Sequence, residues 1–92
     1  MNRDAVQGVV FEELARLAPE ADLQALPPGA RLREELDIDS FDFNRLLVGL
    51  EQRLGVRIPE TDAGRLETLD ALLDYLCARL PASAQGAAPP GP

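Results

Sequence analysis

Asp39-Ser40 closes the acidic run Glu34-Glu35-Leu36-Asp37-Ile38-Asp39 and opens an apolar stretch. A serine hydroxyl there stands at the mouth of a helix, where the first-turn N–H groups are unpaired and the helix dipole is positive. A phosphate-linked group hung on that oxygen is electrostatically at home. The same dipeptide also suits a plain N-cap, and by itself it favours the cap. Other chemistry-bearing residues are scarce. The chain has no histidine and one cysteine, Cys77, so neither a Ser-His nor a Cys-His pair can form. One thiol without imidazole cannot supply a zinc ligand set either. No catalytic residue is assigned, and the chain is expected not to be an enzyme. The spacing Asp37-x-Asp39-x-x-Asp42 suggests a calcium loop but fails on position. Its fifth place is Phe41, its sixth is Asp42 instead of glycine, and its twelfth is Val48 instead of glutamate. The run therefore reads as a solvated acidic patch, with at most a weak divalent site. Cys77, on a leucine-rich helix, is expected to be a small buried hydrophobe.

A chain of 92 residues holds one small domain. Residues 1–80 are expected to form it. Residues 81–92 carry four prolines and no large apolar side chain, and are expected to be a disordered Pro/Ala/Gly-rich tail. About eighty residues can build a modest helical core but not a deep catalytic cavity. The net charge of −7 argues against nucleic acid or an anionic membrane as partner. Docking onto basic patches of other proteins suits it better. All nine basic residues are arginine, a weak sign of a GC-rich genome. No signal peptide is visible at Met1-Asn2-Arg3-Asp4, and no apolar run approaches membrane-spanning length. With one cysteine and no internal disulfide, a cytoplasmic, monomeric protein without membrane insertion is expected. Met1 and the short tail favour a stand-alone chain.

Three long helices must position Ser40. From about Arg3 to Ala18, Val6, Val9, Val10, Leu14 and Leu17 recur at amphipathic spacing, and Pro19 ends the run. Glu20 to Arg33 reads as a long loop turning at Pro27-Pro28-Gly29. A loop that long needs pinning, and Leu23, Leu26 and Leu32 are the candidates, with Leu36 following into the core. The next helix spans Ser40 or Phe41 to Leu54, with Leu46, Leu47, Leu50 and Leu54 inward and Gly55 as C-cap. Val56-Arg57-Ile58-Pro59 is extended, and a short turn is expected around Asp62 to Leu66. The last helix, Thr68 to Leu80, turns Leu69, Leu72, Leu73, Leu76 and Leu80 to one side, and Pro81 stops it. No segment reads as a sheet. The fold class is an all-α bundle of three main helices plus one short helix, with a long first loop.

In that order of elements the chain resembles a phosphopantetheine-dependent acyl carrier protein. The resemblance is carried by Leu36-Asp37-Ile38-Asp39-Ser40-Phe41-Asp42 and by Leu46-Leu47-Val48-Gly49-Leu50-Glu51-Gln52-Arg53-Leu54-Gly55-Val56-Arg57-Ile58-Pro59-Glu60. Leu66-Glu67-Thr68-Leu69 and Asp74-Tyr75-Leu76 complete it, over roughly residues 5 to 80. The resemblance implies that a phosphopantetheinyl transferase attaches 4′-phosphopantetheine covalently to Ser40, making the chain a phosphoprotein. The arm's thiol would carry acyl groups as thioesters between acyl-activating, condensing or acyl-transfer enzymes. Asp39 would serve recognition by the transferase. Glu34, Glu35, Asp37, Phe41, Asp42, Arg45 and Val48 would meet partners; for Phe41 the alternative is a core aromatic, a place for which Phe43 competes.

Three departures from the family pattern bear on those partners. Asp37-Ile38 stands where family members usually have glycine, two or three positions before the serine. The charges of the helix after Ser40, Asp42, Arg45, Glu51 and Arg53, sum to zero, whereas the family's is strongly acidic. Phe43 and Asn44 replace a small polar and an aliphatic residue. A specialised fatty-acid, lipid or polyketide pathway therefore fits better than general fatty-acid synthesis. Two alternatives remain: an amino-acyl or peptidyl carrier of a nonribosomal system, and an unmodified helical adaptor in which Ser40 is only a cap.

Overall fold

The computed structural model describes residues 2–80, and its longest helices are α1 (Arg3–Leu17), α3 (Ser40–Leu54) and α5 (Leu69–Arg79). Two four-residue helices, α2 (Leu32–Glu35) and α4 (Glu60–Ala63), and a 3-10 turn at Leu23–Ala25 lie between them. The expected tail, residues 81–92, with Pro81 as helix stop, lies outside the described residues, as does Met1. No described helix is long and apolar enough to cross a membrane.

Each long helix begins on a side-chain cap. Asn2 accepts from the Ala5 N–H, Asp39 from Asp42 and Thr68 from Ala71, each satisfying an otherwise orphaned first-turn donor. α3 ends on Gly55 at φ 68°, ψ 29°, the left-handed C-cap that its sequence position predicts. α1 packs against both α3 and α5. Val6, Val10 and Leu14 of α1, Phe43, Leu46, Leu47, Leu50 and Leu54 of α3, and Leu69, Leu72, Leu73 and Leu76 of α5 are buried. They form one core with Leu32, Ile38, Val56, Ile58, Leu66 and Leu80.

The first loop departs from its expected form. Its leucines do pin it: Leu32 is buried, and Leu23, Leu26 and Leu36 are half-buried against the core. Beyond that, Leu23–Ala25 winds into the 3-10 turn, and Leu32 begins α2 inside the segment read as loop. A second anchor is backbone. Arg31 and Thr68 form an isolated antiparallel bridge, and the Leu32 N–H donates to the Glu67 carbonyl at 2.8 Å. The Leu69 and Asp70 N–H groups donate to the carbonyls of Ala30 and Pro28, so the loop satisfies the first-turn donors of α5.

The short turn expected at Asp62 to Leu66 is displaced to Glu60–Ala63, starting directly after Pro59. Pro59 fixes φ at −62° and leaves no N–H to satisfy, which favours a helix start. Cys77 is half-buried against the core instead of fully buried.

Three polar contacts tie the elements together. Glu13 is buried at 8% exposure, bonded to Arg53 at 3.1 Å, while Glu12 takes the other side of that guanidinium at 2.6 Å. Gly49 makes room for Glu13, since a Cβ there would lie 2.5 Å from its carboxylate. Glu51 accepts the Ile58 N–H at 2.8 Å and holds the extended segment after Gly55.

Candidate functional site around Ser40

Ser40 is the first residue of α3, and Asp39 is its N-cap, with φ −87° and ψ 178°. The Asp39 carboxylate accepts the Asp42 N–H at 2.8 Å, so the capping bond is already made by the neighbour. Ser40 is exposed, and its hydroxyl makes no hydrogen bond among the described residues. Of the two roles open to this dipeptide, Asp39 takes the structural one. Ser40 has no local duty left, and it stands at a helix start where negative charge is favoured.

Ahead of the cap, Ile38 is buried and fixes the chain between α2 and α3. The Ile38 N–H donates to the Arg33 carbonyl at 3.1 Å, and Asp37 between them takes φ 52°. A six-residue bond closed around a left-handed residue is the Schellman way of ending a helix, and the left-handed place in it usually falls to glycine. The position where the sequence departs from the family's glycine is thus a real left-handed turn. Aspartate tolerates that region better than most residues.

Beside Ser40 lies a groove of about 270 Å³ between α2, α3 and α4. Its floor is apolar, with Phe43, Leu47 and Ala63, and its polar lining is Arg33, Asn44, Glu60 and Glu67. A phosphate-linked group on Ser40 therefore meets an open groove with one guanidinium in it, and disturbs no existing bond. Arg33 is not marked by the sequence, and Asn44 is marked only as a departure from the family pattern. Arg33 belonged to an assumed loop, and only the α2 turn brings it to Ser40.

α4, one wall of this groove, is held by Asp62. Its carboxylate accepts the Tyr75 hydroxyl at 2.7 Å, Arg65 at 2.7 Å and Arg79 at 3.1 Å. Chiefly the Tyr75 bond, then that from Arg65, holds the Asp62 carboxyl below its ordinary range. Burial, followed by the bond to Asp62, pushes the Tyr75 phenol up.

The remaining candidate residues fall into separate places. Phe41 is 70% exposed and Val48 41%, while Phe43 takes the core position, which decides between the two aromatics. Phe41, Arg45 and Val48, at i, i+4 and i+7, make one exposed stripe along α3. Arg45 and Val48 border a second groove with Arg16 of α1. Glu35, Asp37 and Asp42 line a third cleft against the end of α1. Glu34 stands apart, paired with Arg31 at 3.3 Å. The charges of α3 sum to zero; Arg53 and Glu51 are committed to internal contacts, which leaves Asp42 at the helix start and Arg45 on the exposed face. Among the described residues no group of three or more histidine, cysteine or acidic side chains is placed to hold a metal ion.

A family model described as a phosphopantetheine attachment site matches residues 9–76. An acyl carrier protein of Thermosynechococcus vestitus is 32% identical over 73 residues, covering 79% of this chain and 84% of that protein. One from Helicobacter hepaticus is 29% identical over 73 residues, covering 79% and 90%. Among solved structures, the acyl carrier protein from Enterococcus faecalis superposes with a TM-score of 0.75 at 23% identity, covering 86% of this chain and 99% of that one. That likeness establishes the fold.

Proposed function

The chain belongs to the phosphopantetheine-attachment family, whose arm is covalently bound 4′-phosphopantetheine, and we propose that Ser40 bears this arm and that acyl intermediates travel on it. The observation that carries this reading is the division of labour at the helix mouth: Asp39 caps, and the exposed Ser40 hydroxyl is unbonded. The arm supplies a thiol that holds acyl groups as thioesters. The protein supplies position and recognition and no catalytic group. The Ser40 hydroxyl oxygen attacks the pantetheine-side phosphorus of coenzyme A; the pyrophosphate P–O bond breaks, 3′,5′-adenosine bisphosphate leaves, and the hydroxyl proton passes to the transferase.

Asp39 keeps α3 wound up to the serine while the transferase binds. Phe41, Arg45 and Val48 form the stripe that partner enzymes meet beyond the arm, and the acids Glu34, Glu35, Asp37 and Asp42 lie ahead of and beside it. A mixed apolar and basic stripe next to an acidic turn fits partners of a specialised acyl pathway better than a uniformly basic docking patch. The names of the relatives support an acyl cargo over an amino-acyl one.

The cargo is tested on chain purified from its own host. A Cys77→Ser variant has no protein thiol, so any acyl group on it must sit on the arm. The expected result is an acyl mass removed by neutral hydroxylamine, leaving the phosphopantetheinylated chain. An arm that never bears a hydroxylamine-labile group would contradict the acyl-carrier reading. Docking is tested by association rates of the loaded chain with a cognate enzyme. Glu34→Lys with Glu35→Lys should slow association at low salt and less at high salt. Arg45→Glu should change which enzymes are accepted. Rates unmoved by all three would place recognition elsewhere.

A further inference from the structure

Arg33 is exposed on α2 and pairs with no carboxylate among the described residues, in a chain of net charge −7. It lines the same groove as Ser40. The backbone fixes its place: the bond from the Ile38 N–H to the Arg33 carbonyl closes the end of α2 two residues before the serine. We infer that Arg33 is a phosphate-holding residue of the modified chain, its guanidinium pairing with the phosphodiester on Ser40. This rests on attachment of the arm to Ser40 and deepens that reading.

Charge gives the reason. A phosphodiester on Ser40 adds a negative group to a groove that already holds Glu60 and Glu67, next to the capping carboxylate of Asp39. Arg33 is the only cation lining the groove. Guanidinium offers forked N–H donors that match phosphate oxygens, and such charge-assisted bonds are stronger than neutral ones. Asn44, one turn along α3 from Ser40, adds an amide to the same lining. Because the site is open, the pair is screened by salt, and its role is to orient the arm along the groove.

The test loads the full chain with coenzyme A and a transferase, then reads the single diester by phosphorus NMR and the arginine Nε–H signals by nitrogen–proton NMR. Loading should displace the Arg33 signal and leave that of Arg57, which is exposed and lines no part of this groove. Arg33→Gln should move the phosphorus resonance, Arg33→Lys should move it less, and Arg57→Gln should leave it in place. High salt should shrink the difference between Arg33→Gln and wild type. A loaded chain whose phosphorus resonance is the same in Arg33→Gln and wild type, or whose Arg33 signal does not move, overturns the inference alone. A chain that gains no mass overturns the attachment reading and this inference with it.

Discussion

Asp37 is the one non-glycine residue among those described with positive φ, at 52°, and it closes the turn that delivers the chain to Asp39 and Ser40. A side chain in the left-handed region costs roughly 1–2 kcal/mol, less for aspartate, whose short polar group bonds locally. Asp37→Gly should therefore leave stability equal or raise it by up to about 1 kcal/mol, and Asp37→Val should lower it. Urea titrations of the two variants check this; a stabilising valine would refute the turn. Asp39→Ala removes the only side-chain cap of α3 and should cost about 1 kcal/mol. Ser40→Ala removes no bond and should cost little. That asymmetry separates the capping residue from the proposed attachment residue. At this scale the helix start at Asp39 and Ser40 is legible, because a serine at a helix mouth is a local pattern. Which of the two caps is not, since either side chain suits the role and only the Asp42 bond decides. Arg33 is invisible in the sequence because its place beside Ser40 is made by a backbone bond that spans six residues.

The long helices were readable because valines and leucines recur every three or four residues over several turns, as at Leu46, Leu50 and Leu54. Their capping signals, Gly55 and Thr68, are equally local. α2, α4 and the 3-10 turn are too short to show a period, so the start of α2 reads as loop and the turn expected at Asp62 lies two residues later than α4 begins. Glu13, Arg53 and Glu51 carry no pattern either: their partners lie on other elements or across a turn. Leu50 has no exposed surface, and truncating it to alanine should cost about 2–5 kcal/mol in chemical denaturation. A cost as small as that of an exposed site would mean that α3 faces the other way. α4 depends on Asp62, and its pH behaviour follows from sign. The carboxyl lies below its ordinary range when folded, so its contribution is present above about pH 4, the unfolded value. It is lost as pH falls through the folded value. Asp62→Asn should be less stable than wild type at neutral pH and converge with it in acid. Tyr75 is the only tyrosine and there is no tryptophan, so tyrosine emission reports this cluster directly. A gap that stays constant down to acid would show that the ionised Asp62 is not what holds α4.

Over the whole molecule, composition excludes more than it assigns: with no histidine and one thiol the chain offers neither a Ser-His nor a Cys-His pair. Residues 82–92 have no large apolar side chain, and removing them should change the denaturation midpoint negligibly. A loss comparable to that from Leu50→Ala would move the domain limit beyond residue 80. Whether the chain is a carrier is a question of covalent mass, which the intact protein answers in one step. Wild type and Ser40→Ala are incubated with coenzyme A, magnesium and a broad-specificity phosphopantetheinyl transferase, then weighed whole. The wild type should gain the mass of one phosphopantetheinyl group and Ser40→Ala should gain none. An unchanged wild type, or an equal gain on Ser40→Ala, would contradict the account.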